Sequence, residues 1–418
     1  MRGATRTSLT LAVWALTRAA LLLCVLKVFT VPGPDVTSDV SAIYRGWSDV
    51  LRTGTFPLDD VTWQYPPAAA LAVLSPGLLP FLEYATAFFV LVALCDAVVF
   101  GLLLYAGRRP GARTAGIWVW VVGVPLLGPT VYARYDLMVT AVAVAALLAG
   151  VRRPRVLGAL AAFGAMLKVW PALLLLGTAK GRATERAWPA AMLTGGVLML
   201  AGALVMPGGY AFLTFQRDRG TEVESLGALV FHVARQFGWQ GRVELRYGSL
   251  EFTGPYVDLV SSLALGLAVL AFAWLLLWRL RARTFAVHTP ADAAFTAVLL
   301  FTVTSRVISP QYMVWLIGLG AVCLMFRGSR MGPPAALVVL ATGVTLLEFP
   351  LGFGHVVASD AQGVALMLVR NTLLVAATLS AGRRLWRGTV PARHPAHRRR
   401  RWAQVSRAGR ERTPASAP

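Results

Sequence analysis

Charged residues are scarce in this chain. They make up 14% of its 418 residues, whereas a soluble domain carries roughly 25%. Hydrophobic residues make up 57%, and they fall into apolar runs of roughly 16–24 residues, which is the pattern of membrane-spanning helices. Helices are the expected spanning element because lipid offers no partners to unpaired backbone groups. The composition therefore excludes an ordinary soluble domain and predicts an all-α polytopic membrane protein.

The motifs of soluble cofactors and metals are missing as well. Cys24, Cys95 and Cys323 each lie in an apolar run, which is typical of small core residues and not of disulfides or zinc ligands. No two histidines have the spacing of a helix-borne metal pair. No Walker loop, dinucleotide glycine fingerprint or nucleophile elbow occurs. A soluble nucleotide therefore has no recognisable binding motif, and no metal-ligand set is predicted.

Acidic residues are outnumbered by basic ones, 19 against 40, which gives a net charge of +21. About half of the excess lies in residues 383–418, where eleven arginines accompany one acid. A basic segment after the last apolar run is typical of a cytoplasmic tail near anionic lipid. We therefore predict a transmembrane domain over 1–382, a disordered basic cytoplasmic tail over 383–418, and no nucleic-acid partner.

Two long breaks divide the apolar runs: loop one, about 32–65, and loop two, about 208–255. About twelve transmembrane helices would put both termini in the cytoplasm and both long loops outside. No internal repeat is visible, which weighs against a transporter. The candidate spans are about 8–31, 66–82, 84–106, 114–132, 137–151, 156–179, 188–207, 256–279, 288–305, 311–326, 333–353 and 361–381.

The positive-inside rule raises one objection to twelve crossings. The basic breaks 108–113 and 152–155 would then face the outside. The objection disappears if 66–82 does not cross and 156–179 is a pair of half-helices broken at 168–171. Residues 133–136 lie inside in the first count and outside in the second, and the pattern leaves both counts open.

Loop one is rich in aspartate residues. Apolar residues between 40 and 51 recur at helical spacing, which predicts a short interfacial helix capped by Ser38 and ended by Gly54. Asp39 falls in the first turn of this helix, where complementing the helix dipole is the simplest interpretation. The aspartates of the loop are Asp35, Asp39, Asp49, Asp59 and Asp60.

Polar residues inside apolar runs are costly in lipid, so they are candidates for function. Here they are Asp96, Lys168, Arg306 and Glu348. We predict a structural ion pair for Asp96 and a helix break at Lys168, which shortly precedes Pro171. A cation such as Arg306, beside a serine-proline break at the outer end of a span, could bind a lipid phosphate. A snorkelling or helix-pairing role is the alternative.

Several motifs follow one another in a characteristic order over roughly three hundred residues. Together they resemble the GT-C superfamily of membrane glycosyltransferases, and more narrowly glycosyltransferase family 87, whose members use polyprenyl-phosphate sugars and are mostly mannosyltransferases. The matching pieces are "SDVSAIYRGWSDVLRTGTFPLDDVTWQYPP" (38–67), "ARYDLMVTAVAVAALL" (133–148), "GAMLKVWPALLL" (164–175), "FQRDRGTEVESLGAL" (215–229) and "SRVISPQYMVWL" (305–316).

The resemblance implies a GT-C fold, in which a seven-helix module is followed by a long external loop. Twelve crossings reproduce that plan, so twelve is the predicted number despite the basic breaks. The resemblance also implies a catalytic acid in the first external loop, and Asp39 holds the matching position as general base. One departure concerns the late motif, which carries histidines in the better-known mannosyltransferases, whereas residues 309–315 contain none. The sugar and the acceptor therefore stay open. The residues expected to bind substrate are Asp59, Tyr65, Lys168, Arg217, Arg219, Glu224, Arg306 and Gln311.

The implied function is inverting transfer of mannose or arabinofuranose from a polyprenyl-phosphate donor to a glycolipid or polysaccharide acceptor. The reaction would take place at the outer face of the plasma membrane. A divalent cation near Asp39 and Asp59 is compatible with the sequence but not required, since hard cations take carboxylate oxygens. A lipid-linked-sugar flippase and a catalytically inactive relative are the alternatives.

Overall fold

A computed structural model describes residues 2–57, 60–217 and 219–391, with the backbone alone for 2–6 and 215–217. Asp59 and the tail beyond 391 lie outside the described residues. Helices dominate: α1 (Arg2–Val25), α2 (Arg45–Arg52), α3 (Ala69–Leu74), α4 (Tyr84–Gly107), α5 (Ala115–Gly123), α6 (Asp136–Gly150), α7 (Pro154–Leu167), α8 (Arg182–Val205), α9 (Phe212–Arg217), α10 (Ala228–Arg235), α11 (Val257–Arg281), α12 (Thr289–Thr304), α13 (Tyr312–Cys323), α14 (Gly332–Leu346), α15 (Phe353–Ala358) and α16 (Ala361–Thr389).

Six of the described helices are long and apolar enough to cross a membrane. The shorter helices α6, α12 and α13 are almost wholly buried, whereas α8 and α11 expose many leucines and valines. The mostly helical, membrane-type fold is therefore confirmed, and twelve crossings stay a prediction. The six long helices include Thr7–Val25, Tyr84–Gly107, Arg182–Val205, Val257–Arg281, Gly332–Leu351 and Ala361–Thr389.

Loop two contains a small antiparallel sheet, so the fold is not all-α. Strands β1 (Thr221–Glu222), β2 (Arg242–Arg246) and β3 (Ser249–Thr253) pair in the order β1-β3-β2. A two-residue turn joins β2 to β3, with Tyr247 at φ 50° and Gly248 at φ 79°, as the hairpin geometry requires. The sequence does not predict this sheet, because the alternation of polar and apolar residues over 242–253 is short.

The predicted helix in loop one is present. A π-helical turn spans Asp39–Tyr44 and continues directly into α2. Gly54, at φ 81°, follows its end as expected. The predicted cap at Ser38 is wrong: Ser38 is already helical and its Oγ donates to the Asp35 carbonyl at 2.8 Å. The place of this helix at a membrane surface stays a prediction.

Asp96 forms the structural ion pair that the sequence predicts. Its carboxylate accepts from Arg18 Nε at 2.8 Å, from Trp120 Nε1 at 2.7 Å and from Tyr132 Oη at 2.8 Å. Both charged residues are buried. Since a buried pair is stable only when its hydrogen-bonding groups are satisfied, this cluster fixes α1, α4 and α5 relative to one another.

The arginine-rich breaks meet at one end of the helix bundle, here called the basic end. Arg113 N–H donates to the Met325 carbonyl at 2.9 Å, and Lys180 Nζ donates to the Ala282 carbonyl at 2.9 Å. Arg283 N–H donates to the Thr389 carbonyl at 2.9 Å. Gly328 lies against His288 and Gly177 against Pro290, both at the start of α12, which joins these pairs of segments. The segments 108–113, 179–184, 279–284 and 324–330 therefore share this end. The break 152–155 lies there too, since Gly158, near the start of α7, packs on Ala187, near the start of α8.

Loop one and loop two meet at the opposite end, where Gly248 lies against Thr62. The segment 66–82 begins and ends there. Its helix α3 packs on α2, and Tyr84 Oη, at the start of α4, donates to the Val73 carbonyl at 2.8 Å. These contacts favour the second count, in which this segment does not cross.

The segment 156–179 is broken at Lys168, as the second count requires. Helix α7 ends at Leu167, Lys168 is extended (φ −159°, ψ 128°), and a 3-10 segment covers Trp170–Gly177. Gly177 lies against Pro290, at the start of α12 and near the basic end. The two half-helices thus start and finish at the basic end, and the break between them places Lys168 toward the opposite end of the bundle.

Candidate active site

A cavity of about 660 Å³ opens at the end of the bundle where the two long loops meet. Its walls come from loop one, from the sheet of loop two, from the break at Lys168 and from residues 304–312 between α12 and α13. Each of these segments is an interruption of regular helix, and such interruptions line cavities because their free backbone groups need polar surroundings. The cavity is therefore where polar chemistry concentrates.

Most of the predicted site residues line this one cavity. Those that do are Asp39, Tyr65, Lys168, Arg219, Glu224, Arg306 and Gln311. Two predicted residues cannot be compared. Asp59 lies outside the described residues, and Arg217 ends α9 with only its backbone described. The residues brought together come from five distant stretches of the chain, so their convergence depends on the fold.

Asp39 is held by a cation that the sequence had not singled out. Arg134 Nη2 lies 2.9 Å from Asp39 Oδ2, and its Nη1 donates to the carbonyls of Val36 and Ala133. The Asp39 side chain remains 34% exposed to the cavity. Arg134 belongs to the "ARYD" motif, so the motif was visible, but the pairing across nearly one hundred residues was not.

Lys168 is enclosed at the base of the cavity. Its Nζ bonds Asp136 Oδ1 at 2.7 Å and lies 5.1–5.6 Å from the ring centroids of Tyr65, Tyr135, Tyr312 and Trp315. Cation–π attraction adds to the ion pair in such a setting. Trp315 Nε1 also donates to Asp136 at 2.8 Å, so the carboxylate orients both the ammonium and the indole. Asp136, like Arg134, was not predicted.

Loop two places further charges at the cavity. Arg219 Nε lies 3.4 Å from Glu251 Oε1, and its guanidinium also bonds Ser249. Glu222 is buried and accepts from the Ile308 N–H at 2.6 Å. Burial raises the pKa of the Glu222 carboxyl to about 7, against the lowering effect of Arg219. Glu222 was not predicted as a site residue.

A buried cluster lies behind the cavity wall. Arg370 Nε is 3.2 Å from Glu348 Oε2, and Arg370 Nη1 is 4.0 Å from Glu224 Oε1. Arg370 also bonds the Glu224 carbonyl. Burial and the neighbouring Glu348 carboxylate raise the pKa of Glu224 well above its usual value. Arg370 thus ties the C-terminal helices to loop two. The predicted polar residue Glu348 pairs with Arg370 and is not among the residues that line the cavity.

The cavity has a charged mouth and an apolar flank. Its flank includes Leu265 and Phe272 of α11, which are 57% and 41% exposed, and Phe301 of α12. The cavity therefore continues to the apolar outer surface of the bundle. Among the side chains that the structure describes, the charged ones that line it are the cations Arg134, Lys168, Arg219 and Arg306 and the carboxylates Asp35, Asp39, Glu222 and Glu224.

No group of three or more His, Cys, Asp or Glu side chains within the described residues could hold a metal ion. In loop one, Asp39 is engaged with Arg134, and Asp35 is engaged with Lys27 and Thr37. Partial burial acts to raise the pKa of Asp35, but the hydrogen bonds from Lys27 and Thr37 outweigh it and lower this pKa. The arrangement offers a partly exposed carboxylate, cations that suit a phosphate, and an apolar flank.

Comparison with known proteins agrees with this geometry. No curated protein and no solved structure matches the chain. The sequence model of glycosyltransferase family 87 matches residues 63–310, which is more than half of the chain. The match includes Lys168, Arg219 and Arg306, and it leaves Asp39 and Gln311 outside. The chain therefore belongs to glycosyltransferase family 87.

Proposed function

We propose that this glycosyltransferase takes its sugar from a polyprenyl monophosphate and transfers it with inversion to a hydroxyl of a glycolipid or polysaccharide. Mannose and arabinofuranose are the expected sugars. The observation that carries the proposal is the cavity itself, in which a partly exposed carboxylate, Asp39, shares a space with an apolar flank and with Arg134, Lys168, Arg219 and Arg306. A soluble nucleotide sugar would need no such flank.

In the proposed reaction, Asp39 accepts the proton of the acceptor hydroxyl as its oxygen bonds to the anomeric carbon. The bond between that carbon and the phosphate oxygen breaks, and polyprenyl phosphate leaves with the bonding electron pair. Arg306, Arg219 and Lys168 are proposed to stabilise the charge that develops on the phosphate. A positioned carboxylate base contributes roughly 10²–10⁴-fold to such a step.

Lys168 is proposed to act as a fixed charge. Its contact with Asp136 and the surrounding rings limits its movement, and a cation that is already in place needs no reorganisation during the reaction. The isoprenoid tail of the donor would lie along Leu265, Phe272 and Phe301, because burying apolar tail carbon there removes it from water.

We propose that the basic end faces the cytoplasm and the cavity faces the outside of the plasma membrane. This orientation puts the breaks 108–113 and 152–155 inside together with 279–284 and 324–330, as the positive-inside rule expects. The segments 66–82 and 156–179 then enter and leave on one side. Ten crossings remain, and both termini are cytoplasmic.

The donor class can be tested with the purified full-length protein in lipid vesicles. Labelled polyprenyl-phosphate mannose, polyprenyl-phosphate arabinofuranose and GDP-mannose would each be offered with an alkyl glycoside acceptor. We expect one lipid-linked sugar to be transferred, with release of polyprenyl phosphate, and no transfer from the nucleotide. Movement of the lipid-linked sugar across the bilayer without a new glycosidic bond would instead indicate a flippase, and no consumption at all an inactive relative.

A further inference from the structure

The segment that carries Arg306 has no secondary structure of its own. Residues 305–311 connect α12 to α13 without regular helix. Backbone N–H groups in such a segment need partners from elsewhere, because an unpaired buried donor is costly. The Val307 N–H has a partner within the segment, because it donates to Ser305 Oγ at 3.1 Å. Ile308 is fully buried, which makes water a poor acceptor for its N–H. The group that accepts from Ile308 therefore also influences where Arg306 lies.

Glu222 of β1 contacts this segment on both sides of Ile308. Its backbone N–H donates to the Arg306 carbonyl at 3.0 Å. Its Oε2 accepts from the Ile308 N–H at 2.6 Å, and its Oε1 lies 3.4 Å from Ser309 Oγ. One residue thus clasps the chain before and after Ile308, and its side chain is only 4% exposed.

The same sheet also holds the guanidinium of Arg219, which lies just before β1. Glu222 pairs across the sheet with Glu251 of β3, and Glu251 lies 3.4 Å from Arg219 Nε and accepts from the Gly220 N–H at 2.9 Å. Arg219 and Arg306 both line the cavity. The position of Arg306 relative to Arg219 therefore depends on the contact that Glu222 makes between the sheet and residues 305–311.

We propose that Glu222 is a positioning residue, which holds the sheet of loop two on residues 305–311 and so sets Arg306 beside Arg219 as one site for the donor phosphate. This assignment rests on the proposed function, since it needs an anionic donor. The part played by Glu222 is that of a hydrogen-bond acceptor. It takes no proton from the substrate and does not touch the reacting atoms.

If Glu222 acts as a hydrogen-bond acceptor, its substitution by glutamine and by alanine should have different effects. Glutamine keeps an oxygen for the Ile308 N–H, whereas alanine leaves that buried donor without a partner. We therefore expect Glu222→Gln to keep transfer within about threefold of the unchanged protein, and Glu222→Ala to raise the KM for the lipid donor on the order of tenfold or more, because small misplacements of a charged group are costly. Glu244→Gln, on the exposed strand β2, is the matched control and should behave like the unchanged protein.

The kinetic pattern distinguishes positioning from other roles. Equal loss of kcat in Glu222→Gln and Glu222→Ala would overturn the proposal, because it would indicate proton transfer by the carboxyl. An unchanged donor KM in Glu222→Ala would overturn it as well. If the alanine variant does not fold, Glu222→Asp, which shortens the reach by one methylene, should raise the donor KM in the same direction.

A second measurement needs no activity. Hydrogen exchange of the full-length protein in lipid, followed on the peptide that covers 305–311, should be faster in Glu222→Ala than in Glu222→Gln, Glu244→Gln or the unchanged protein. Unaltered protection in Glu222→Ala would overturn the proposed contact even if sugar transfer were never observed. Lost protection together with an inactive unchanged protein would contradict the proposed function alone and leave the contact established.

Discussion

Asp39 is interpreted differently from the sequence alone and from the structure. At the start of a helix, an aspartate is worth less than about 1 kcal/mol as a dipole partner. In the fold it lies at the cavity wall, paired with Arg134 at 2.9 Å and still accessible. A dipole partner needs neither the cation nor the cavity. The contact with Arg134 fixes the side chain, and its access to the cavity is the observation on which the proposed role as general base rests.

Glu222 gives a pH prediction at the residue scale. Burial raises its pKa from 4.5 to about 7, so the folded protein binds more protons than the unfolded chain between these values. Stability then falls as pH rises through this window. The groups that face Glu222 are Arg219, Arg370 and Glu251. Glutamine does not titrate, so Glu222→Gln is the reference. Between pH 5 and pH 8, the thermal midpoint of the wild-type protein should fall by about 2 °C or more beyond any fall in Glu222→Gln.

The control for this titration is Glu244→Gln, because Glu244 is exposed on the same sheet. Its thermal midpoint should follow the unchanged protein at every pH. If the difference between the unchanged protein and Glu222→Gln stays constant from pH 5 to pH 8, Glu222 does not titrate in this range and the prediction is wrong.

The residues found from the sequence share one property: each lies in a motif or interrupts an apolar run. Lys168 and Arg306 stand out in this way, and both line the cavity. Arg134 and Asp136 stand two positions apart in a quoted motif, yet their partners lie far along the chain. Glu222 has the appearance of an ordinary loop acid. Nothing local shows which distant backbone donor a carboxylate will meet.

At the scale of elements, the ion pair of Asp96 fixes three helices. Asp96→Ala would leave Arg18 buried without its counter-ion, so we expect a loss of about 3–5 kcal/mol in the free energy of unfolding. Thermal unfolding in detergent would measure it. Asp258→Ala is the control, since Asp258 is exposed in the first turn of α11 and should cost less than about 1 kcal/mol. Equal losses in both variants would contradict the role of Asp96.

Helices α7 and α8 pack so closely that a glycine is needed between them. A Cβ at Gly158 would lie 1.9 Å from the Ala187 carbonyl oxygen. Gly158→Val should therefore push α7 away from α8 and lower the thermal midpoint, and it should reduce transfer because Lys168 directly follows α7. Gly196→Val, where a Cβ would meet nothing within 4 Å, should change both far less. Similar effects of the two substitutions would contradict the close packing.

The elements were predictable to different degrees. Long apolar runs such as 84–106 became helices with nearly the expected ends, because lipid leaves the backbone no other choice. Breaks were harder. The proline at 171 indicated the interruption at Lys168, but whether the two halves cross together or return depends on contacts of Gly177 with Pro290. The hairpin of loop two was missed since its strands are only five residues long.

The proposed topology of the whole molecule can be tested by cysteine labelling. In a background without Cys24, Cys95 and Cys323, a membrane-impermeant maleimide applied from outside should label Asp49→Cys. Arg108→Cys and Arg152→Cys should react only after permeabilisation. Twelve crossings predict that all three react from outside, so labelling of intact cells at 108 and 152 would contradict the ten-crossing arrangement and restore the first count.

The central claim is that the whole protein transfers a sugar from a polyprenyl phosphate with Asp39 as the base. The most direct measurement compares sugar transfer by the unchanged protein, Asp39→Asn and Asp49→Asn in vesicles that contain the donor. Asp49 is an exposed acid of the same loop. We predict that Asp39→Asn lowers kcat by roughly 10²–10⁴-fold while Asp49→Asn transfers normally. Near-normal transfer by Asp39→Asn would contradict the account.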